Sequence, residues 1–275
     1  MNYSAQFTIV TSLRPNVLTK RLFLSQDGYL MKVPVACLSR GKASVRGIES
    51  LDDFSLVLQG LTLNQALIYG IPNNGLGDVD LLSKREHESV RTIDNAITRS
   101  KEHFEWPDGG GIMMLDYDPD DQPASQTEVL EILYQVCPAL RNVDHLWWTS
   151  SSSFISNSLT GEELLGLNGQ RIYVFVETAA DIPRAAKVLE QRLWLAGHGY
   201  FKVSSSGSLL KRTPFDMSVY QPTRLDFAAG ADCGAPLQQK RGVPRIFRGE
   251  KRFLDTSSAM EPLSAEEHEA LQVLE

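Results

Sequence analysis

The first chemistry this sequence offers is a pair of aspartates one residue apart at the end of an apolar run. Ile112, Met113, Met114 and Leu115 lead directly into Asp116, Tyr117 and Asp118. In an extended strand, residues i and i+2 share a face, so both carboxylates leave the strand end on one side. Converging carboxylates are hard oxygen ligands, suited to Mg2+ or Mn2+ ions that also bridge substrate phosphates. Two other readings use the same residues. Asp118, Pro119, Asp120 and Asp121 are good turn formers. The alternation Asp116, Asp118, Asp120 also opens like a calcium loop. That reading fails on detail, because position six is Asp121 rather than Gly, position twelve is Thr127 and the flanking element reads as a strand.

A third carboxylate would complete a metal site. Asp216, in the run Lys211, Arg212, Thr213, Pro214, Phe215, Asp216, and Asp226, after the apolar Leu225, are the candidates; either could complete the site and either also suits an ordinary ion pair. Ser150, Ser151, Ser152 and Ser153 form a turn whose hydroxyls and amides could cradle a phosphate, although such a run also serves as a plain loop. Arg171, Lys211, Arg212 and Arg224 are candidate phosphate clamps, since guanidinium forks match phosphate oxygens; each taken singly also reads as a surface charge. His198, between Gly197 and Gly199, could bind phosphate, act as an acid or cap a helix end. His145, inside an apolar run, reads as a satisfied core histidine. No Walker-type loop, GxSxG or HExxH motif is present, which leaves ATPase, serine hydrolase and zinc protease without support.

These residues need elements to position them. Residues 112–118 read as a strand, and Ser125 with Glu128 forms a capping box that opens a helix carrying Val129, Leu133 and Val136 on one face, stopped by Pro138. A short strand follows over residues 143–149. Residues 171–177 are almost continuously apolar and predict a strand buried on both faces. Asp181 caps the next helix, with Pro183 in its first turn and Gly197 and Gly199 past its end. Leu209 and Leu210, and then residues 224–227, are candidate later strands. The order strand, helix, strand, strand, helix, strand is a split βαβ pattern, so the expected fold class is α+β, an RNA-recognition-like palm whose sheet keeps one face free of helices. The expected division is an N-terminal mixed α/β subdomain over 1–105, a catalytic palm-like subdomain over 106–252 and an acidic helix over 253–275. Within the first, Val90, Ile93 and Ile97 predict a helix over residues 86–100.

At the scale of the chain, 275 residues with 42% hydrophobic and 22% charged content describe an ordinary globular protein with ample core. Three widely spaced cysteines, Cys37, Cys137 and Cys233, argue against a disulfide framework and a CxxC zinc site. There is no apolar run of membrane-spanning length, and the N-terminus lacks the basic start and apolar block of a signal peptide. A cytoplasmic protein with no membrane partner is expected. Net charge is −7, yet residues 12–47 carry seven bases against Asp27 alone, and residues 200–252 carry ten bases against four acids. A polyanion responds to such local fields rather than to the total; a solvated charged surface is the plainer reading of the same charges.

An apolar strand ending in DxD, a serine-rich turn after the next strand and a later element joining an apolar residue to Asp together resemble archaeo-eukaryotic-type primases and primase-polymerases. The closest likeness is to the primase domain of plasmid, prophage and integrative-element replication proteins, in which a primase is often fused to a helicase. The residues that carry it are 113–118, Trp148 through Ser153, 169–174, 211–216 and 221–227. The resemblance implies that Asp116 and Asp118, with Asp216 or else Asp226, hold two Mg2+ or Mn2+ ions on an incoming NTP or dNTP, and that the third Asp activates the primer 3′-hydroxyl. It further implies a single-stranded DNA template whose phosphates are followed by the basic segments around residues 20–46 and 240–252, and a helicase as partner. The chain departs from the family in one respect. The second motif usually offers a histidine, where this turn has only hydroxyls, so His198, Lys202 or Arg212 would have to substitute. Leu274 and Glu275 read as a cloning scar after a helix cut short, which suggests a domain excised from a longer protein. The competing readings are a replication-initiation nuclease using Tyr117, and a non-catalytic module that stacks single-stranded DNA on Trp147, Trp148 or Tyr173.

Overall fold

A computed structural model of the chain describes residues 4–34, 37–89, 95–119 and 122–274. It is a mixed α+β protein built from several small sheets and helices. Two sheets dominate. The first takes its strands in the spatial order Gln65–Ile68, Ala5–Arg14, Arg40–Ile48, Asp78–Leu82 and Ala96–Thr98. Its pairs are antiparallel except the last.

The second sheet positions the aspartate pair. Its order is Gly111–Tyr117, Gln170–Val176, His145–Thr149 and Arg245–Phe247, all antiparallel. Gln170–Val176 is buried at every residue, as its apolar run requires. The helix Gln126–Val136 opens with the Ser125–Glu128 capping box and buries Val129, Leu130, Leu133 and Val136. The helix Ile182–Leu195 ends before Gly197, whose φ of 81° is a left-handed conformation that glycine adopts without steric cost. Helix Ala265–Leu274 docks on that helix and buries Leu271.

Four expectations change. Residues 86–100 are not one helix. A short helix, Lys84–Ser89, buries nothing, and Ala96–Thr98 is a strand that places Ile97 in a core; Val90 and Ile93 lie outside the described residues, as do Asp120 and Asp121. Asp181 stands at the start of its helix, but its carboxylate takes Arg184 and Thr256 rather than a helix amide. The candidate late strands do not enter the second sheet. Leu209–Arg212 pairs with Tyr200–Val203 as a separate hairpin, and Asp226 makes a single antiparallel bridge to Leu67. Finally, the sheet face opposite the helices is covered. Helix Leu51–Gly60 lies over it, with the Phe54 ring 5.1 Å from Tyr173 and 6.4 Å from Phe175. Those aromatic edges need cover from water, and the amphipathic helix needs a place to bury Phe54 and Leu58. One principal core therefore runs from Ala5, Phe7 and Phe54 through both faces of the second sheet.

Candidate active site

Register decides which side chains meet. Asp116 stands opposite Arg171, and Arg171 opposite Trp148, so these three share the covered face. Tyr117 and Trp147 point the other way. Arg171 lies at the centre, its side chain 9% exposed, with Nε 3.3 Å from Asp116 Oδ1 and Nη1 3.0 Å from Asp226 Oδ1. The Nη1–H itself donates to the Phe227 carbonyl at 3.1 Å, so Asp226 Oδ1 receives charge attraction without a hydrogen bond. Asp226 Oδ2 accepts from the hydroxyls of Tyr69, at 2.5 Å, and Tyr173, at 2.9 Å. Burial works against the Arg171 charge, but Asp226 and Asp116 outweigh it and hold the guanidinium firmly protonated.

Asp226 is thus an internal anion with no exposed side-chain surface. It is a structural partner of Arg171, not a group facing solvent. Asp116 is different. Its side chain is 22% exposed at the strand end. Burial pushes its carboxyl up, Arg171 pulls it down, and the neighbouring carboxylates of Asp226, Asp118 and Asp216 push it up again. Asp118 is exposed just beyond the strand. Asp216 is tied to the pair through backbone, its N–H donating to the Asp116 carbonyl at 2.8 Å, while the Asp118 N–H reaches the Pro214 carbonyl at 3.4 Å. Asp116, Asp118 and Asp216 therefore form one crowded, like-charged neighbourhood.

The candidate cations divide around it. Lys211 and Arg212 line a cleft of about 460 Å3 together with Asp118, Asp216, Lys202 and Tyr200, a volume suited to a small organic ligand. Arg224 stands 4.0 Å from Asp216. His198 bonds Gln135 at 3.0 Å, and no hydrogen bond or ion pair among the described residues joins it to the carboxylates. The serine turn sits at the same sheet end, since Thr149 pairs with Gln170 and the Ser150 N–H donates to the Gly169 carbonyl. Ser150, Ser151, Ser152 and Ser153 are nevertheless all buried, and the turn is fixed from below by the Gln239 amide, which donates to the Ser151 and Ser153 carbonyls. An open hydroxyl cradle is not what this turn presents.

Two residues of this neighbourhood escape sequence reasoning. Lys20 reads in the sequence as one of many scattered bases, yet its Nζ donates to Ser152 Oγ at 3.1 Å, and it feels Asp118 and Asp116. Tyr220 is buried, its hydroxyl finds no partner among the described residues, and Asp116 and Asp216 push its phenol further up after burial has done so. No motif flags Tyr220, although it lies four residues past Asp216.

The donor set fits a divalent cation in kind: hard oxygens, mutual repulsion that a cation would relieve, and an orphaned Tyr220 hydroxyl beside them. In arrangement it is not closed. Among the described residues no group of three or more His, Cys, Asp and Glu side chains is gathered to hold a metal ion. Asp116 leans on Arg171, and both Asp216 oxygens accept from Ser218. Two alternatives lose their key residues. Tyr117 is buried and its hydroxyl accepts the Ala124 N–H, so it is no poised nucleophile. Trp147, Trp148 and Tyr173 are core side chains on opposite faces of the sheet. No helix among the described residues is long and apolar enough to cross a membrane. Comparison with family models, with curated proteins and with solved structures returned no match.

Proposed function

We propose that this protein is a template-dependent, divalent-metal-dependent nucleotidyltransferase, a DNA primase or primase-polymerase acting in replication of a mobile element. The observation that carries the reading is the crowding of Asp116, Asp118 and Asp216 at one strand end, beside a cleft that Lys211 and Arg212 line. The order of the second sheet supports it. In the split βαβ pattern the third strand lies between the first two, as Gln170–Val176 does here. The position of the fourth strand, beside the first, is taken by a single antiparallel bridge between Tyr117 and Phe215, and this bridge is what brings Asp216 to Asp116.

In this reading Asp116 and Asp118 hold the catalytic Mg2+ or Mn2+, with Asp216 completing the site. Bound there, the ions would neutralise the triphosphate oxygens and the developing charge of an in-line displacement. Asp216, fixed by Ser218, is the group to accept the proton of the primer 3′-hydroxyl. Lys211 and Arg212 face the nucleotide from the cleft wall, Arg224 sets Asp216, and Arg171 orients Asp116 from within. The basic segments would follow the phosphates of single-stranded DNA, and a helicase is the partner the family resemblance implies.

The test is primer synthesis on single-stranded DNA with labelled NTPs or dNTPs and Mg2+ or Mn2+. Wild type is expected to make short products, and the choice of nucleotide then separates primase from polymerase. Asp118→Ala, at an exposed position, is expected to keep the wild-type circular dichroism spectrum and to lose roughly 100-fold or more in product, the scale on which removing one transition-state charge partner acts. Undiminished product from an Asp116→Asn/Asp118→Ala double variant would sink the proposal, as would a wild type inert with every nucleotide and ion.

A further inference from the structure

Lys20 is a cation in an uneasy place. Leu18 and Thr19 just before it are buried, Thr19 Oγ1 donates to the Gly230 carbonyl at 2.8 Å, and the Lys20 carbonyl accepts the Asp232 N–H at 2.9 Å. From Arg21 the chain continues as a strand parallel to Asp232 and Cys233. The backbone is therefore pinned, and the side chain reaches the serine turn at the sheet end that carries the aspartate pair, near enough to feel Asp118 and Asp116. Its hydrogen bond there runs to a neutral hydroxyl, Ser152 Oγ, not to a carboxylate. Ser152 is buried within a turn whose carbonyls are held by Gln239, so the interaction is rigid on the serine side.

The electrostatics point the same way. Burial first, and then repulsion by Lys32 and Arg171, drive the Lys20 ammonium down; Asp118 and Asp116 compensate only in part, and the net value is about 8. A partly desolvated ammonium, repelled by two cations and attracted from a distance by two anions, is stabilised by an anion that comes between it and those carboxylates. If the carboxylates are themselves bridged to that anion by divalent ions, the same group neutralises both sides.

We propose that Lys20, oriented by Ser152, is a phosphate-binding residue of this site, its ammonium receiving the polyphosphate of the substrate beside Asp116 and Asp118. The inference rests on the nucleotidyl-transfer reading and adds to it the direction of the substrate, whose phosphates run from the aspartate pair toward the serine turn. It also gives the buried serines a role that exposed hydroxyls do not need: Ser152 is a positioning residue acting through Lys20.

Two measurements on the full chain, made without template so that no turnover occurs, test it. An acyl-phosphate derivative of ATP transfers its acyl group to a lysine amine beside the bound phosphates, forming an amide and releasing the nucleotide. Mass spectrometry is expected to find the label on Lys20, with excess ATP or inorganic tripolyphosphate and Mg2+ protecting it. Equilibrium binding of fluorescent ATP with Mg2+ is expected to weaken about 10–100-fold in Lys20→Met, the scale of a hydrogen bond to a charged group, to recover in Lys20→Arg and to weaken by a smaller factor in Ser152→Ala. Wild-type binding with an unprotected Lys20 and an unaltered Lys20→Met affinity would overturn the Lys20 assignment and leave the nucleotidyltransferase reading standing. A wild type that binds neither ATP nor tripolyphosphate would overturn both. Labelling is read on wild type, so it decides the matter even where Lys20→Met fails to fold.

Discussion

Arg171 satisfies two carboxylates from one buried position, and the three groups are interdependent in a way a surface pair is not. Removing one partner of a buried ion pair strands the other in a medium that cannot solvate it. Arg171→Met is expected to cost about 3–5 kcal/mol in urea denaturation, because it leaves Asp226 charged with only the hydroxyls of Tyr69 and Tyr173 upon it. The double change Arg171→Met/Asp226→Leu should recover most of that loss; a double variant as unstable as the single one would show that packing rather than charge dominates. Lys20 gives a second residue-scale test, made without nucleotide or divalent ion. Its ammonium lies at about 8 in the folded chain against 10.5 in the unfolded one. A depressed folded value means the contribution to stability is present above about 10.5 and lost as pH falls through about 8. The melting temperature of wild type is therefore expected to gain on that of Lys20→Met between pH 8 and 10.5, and parallel curves would argue that Lys20 is freely solvated. The placement of Asp116 and Asp118 at the end of an apolar strand was legible in the sequence because the run 112–115 leads straight into them. Lys20 was not, since its place depends on a strand pairing with residues more than two hundred positions away, and Asp226 looked like a ligand because no spacing shows that two tyrosines and an arginine already enclose it.

At the scale of elements, local signals suffice where the cause is local. The capping box at Ser125 and the apolar run over 171–177 each fix their element with neighbouring residues alone. The helix expected over 86–100 fails because the apolar spacing of Val90, Ile93 and Ile97 imitates one helical period, whereas Ile97 belongs to an edge strand beside Asp78–Leu82. The strand expected over 224–227 fails for a different reason: its backbone is satisfied by Leu67 in a single bridge, a long-range pairing no window contains. Gly70 shows how tightly those segments cross. A Cβ there would lie 2.2 Å from the Pro222 carbonyl oxygen and 2.7 Å from that of Glu105, both backbone atoms. Gly70→Ala is expected to destabilise by about 1–3 kcal/mol, the scale of overpacking, and to lower product yield more than stability alone explains, since Tyr69 beside it holds Asp226. A Gly70→Ala variant with unchanged melting temperature would mean that these segments yield more easily than their close approach implies.

For the whole molecule, net charge is a poor guide to partners. The basic segments around residues 12–47 and 200–252, far apart in the chain, are joined by the pairing of Arg21 and Leu22 with Asp232 and Cys233. Single-stranded DNA binding is expected to weaken steeply with salt, and Lys240→Ala/Arg252→Ala, at exposed positions, to flatten the log–log slope by about 0.7 for each phosphate no longer neutralised. An unchanged slope would remove the segment over residues 240–252 from the DNA path. That the chain is α+β was legible from periodicity and the order of its strand and helix signals. The cover that helix Leu51–Gly60 places over the second sheet was not, because it comes from a region with no chemical motif of its own.

The hydrogen bond from Tyr69 to Asp226 spans 157 residues, and this sets a clock on synthesis. At ribosomal rates of about 5–20 residues per second, roughly 8–30 s separate the addition of Tyr69 from that of Asp226. Through that interval Arg171, once made, has Asp116 but not its second anion, and Asp216 has yet to be drawn to the strand end. A nascent chain still on the ribosome therefore carries the aspartate pair without the frame that holds it until Asp226 has been added.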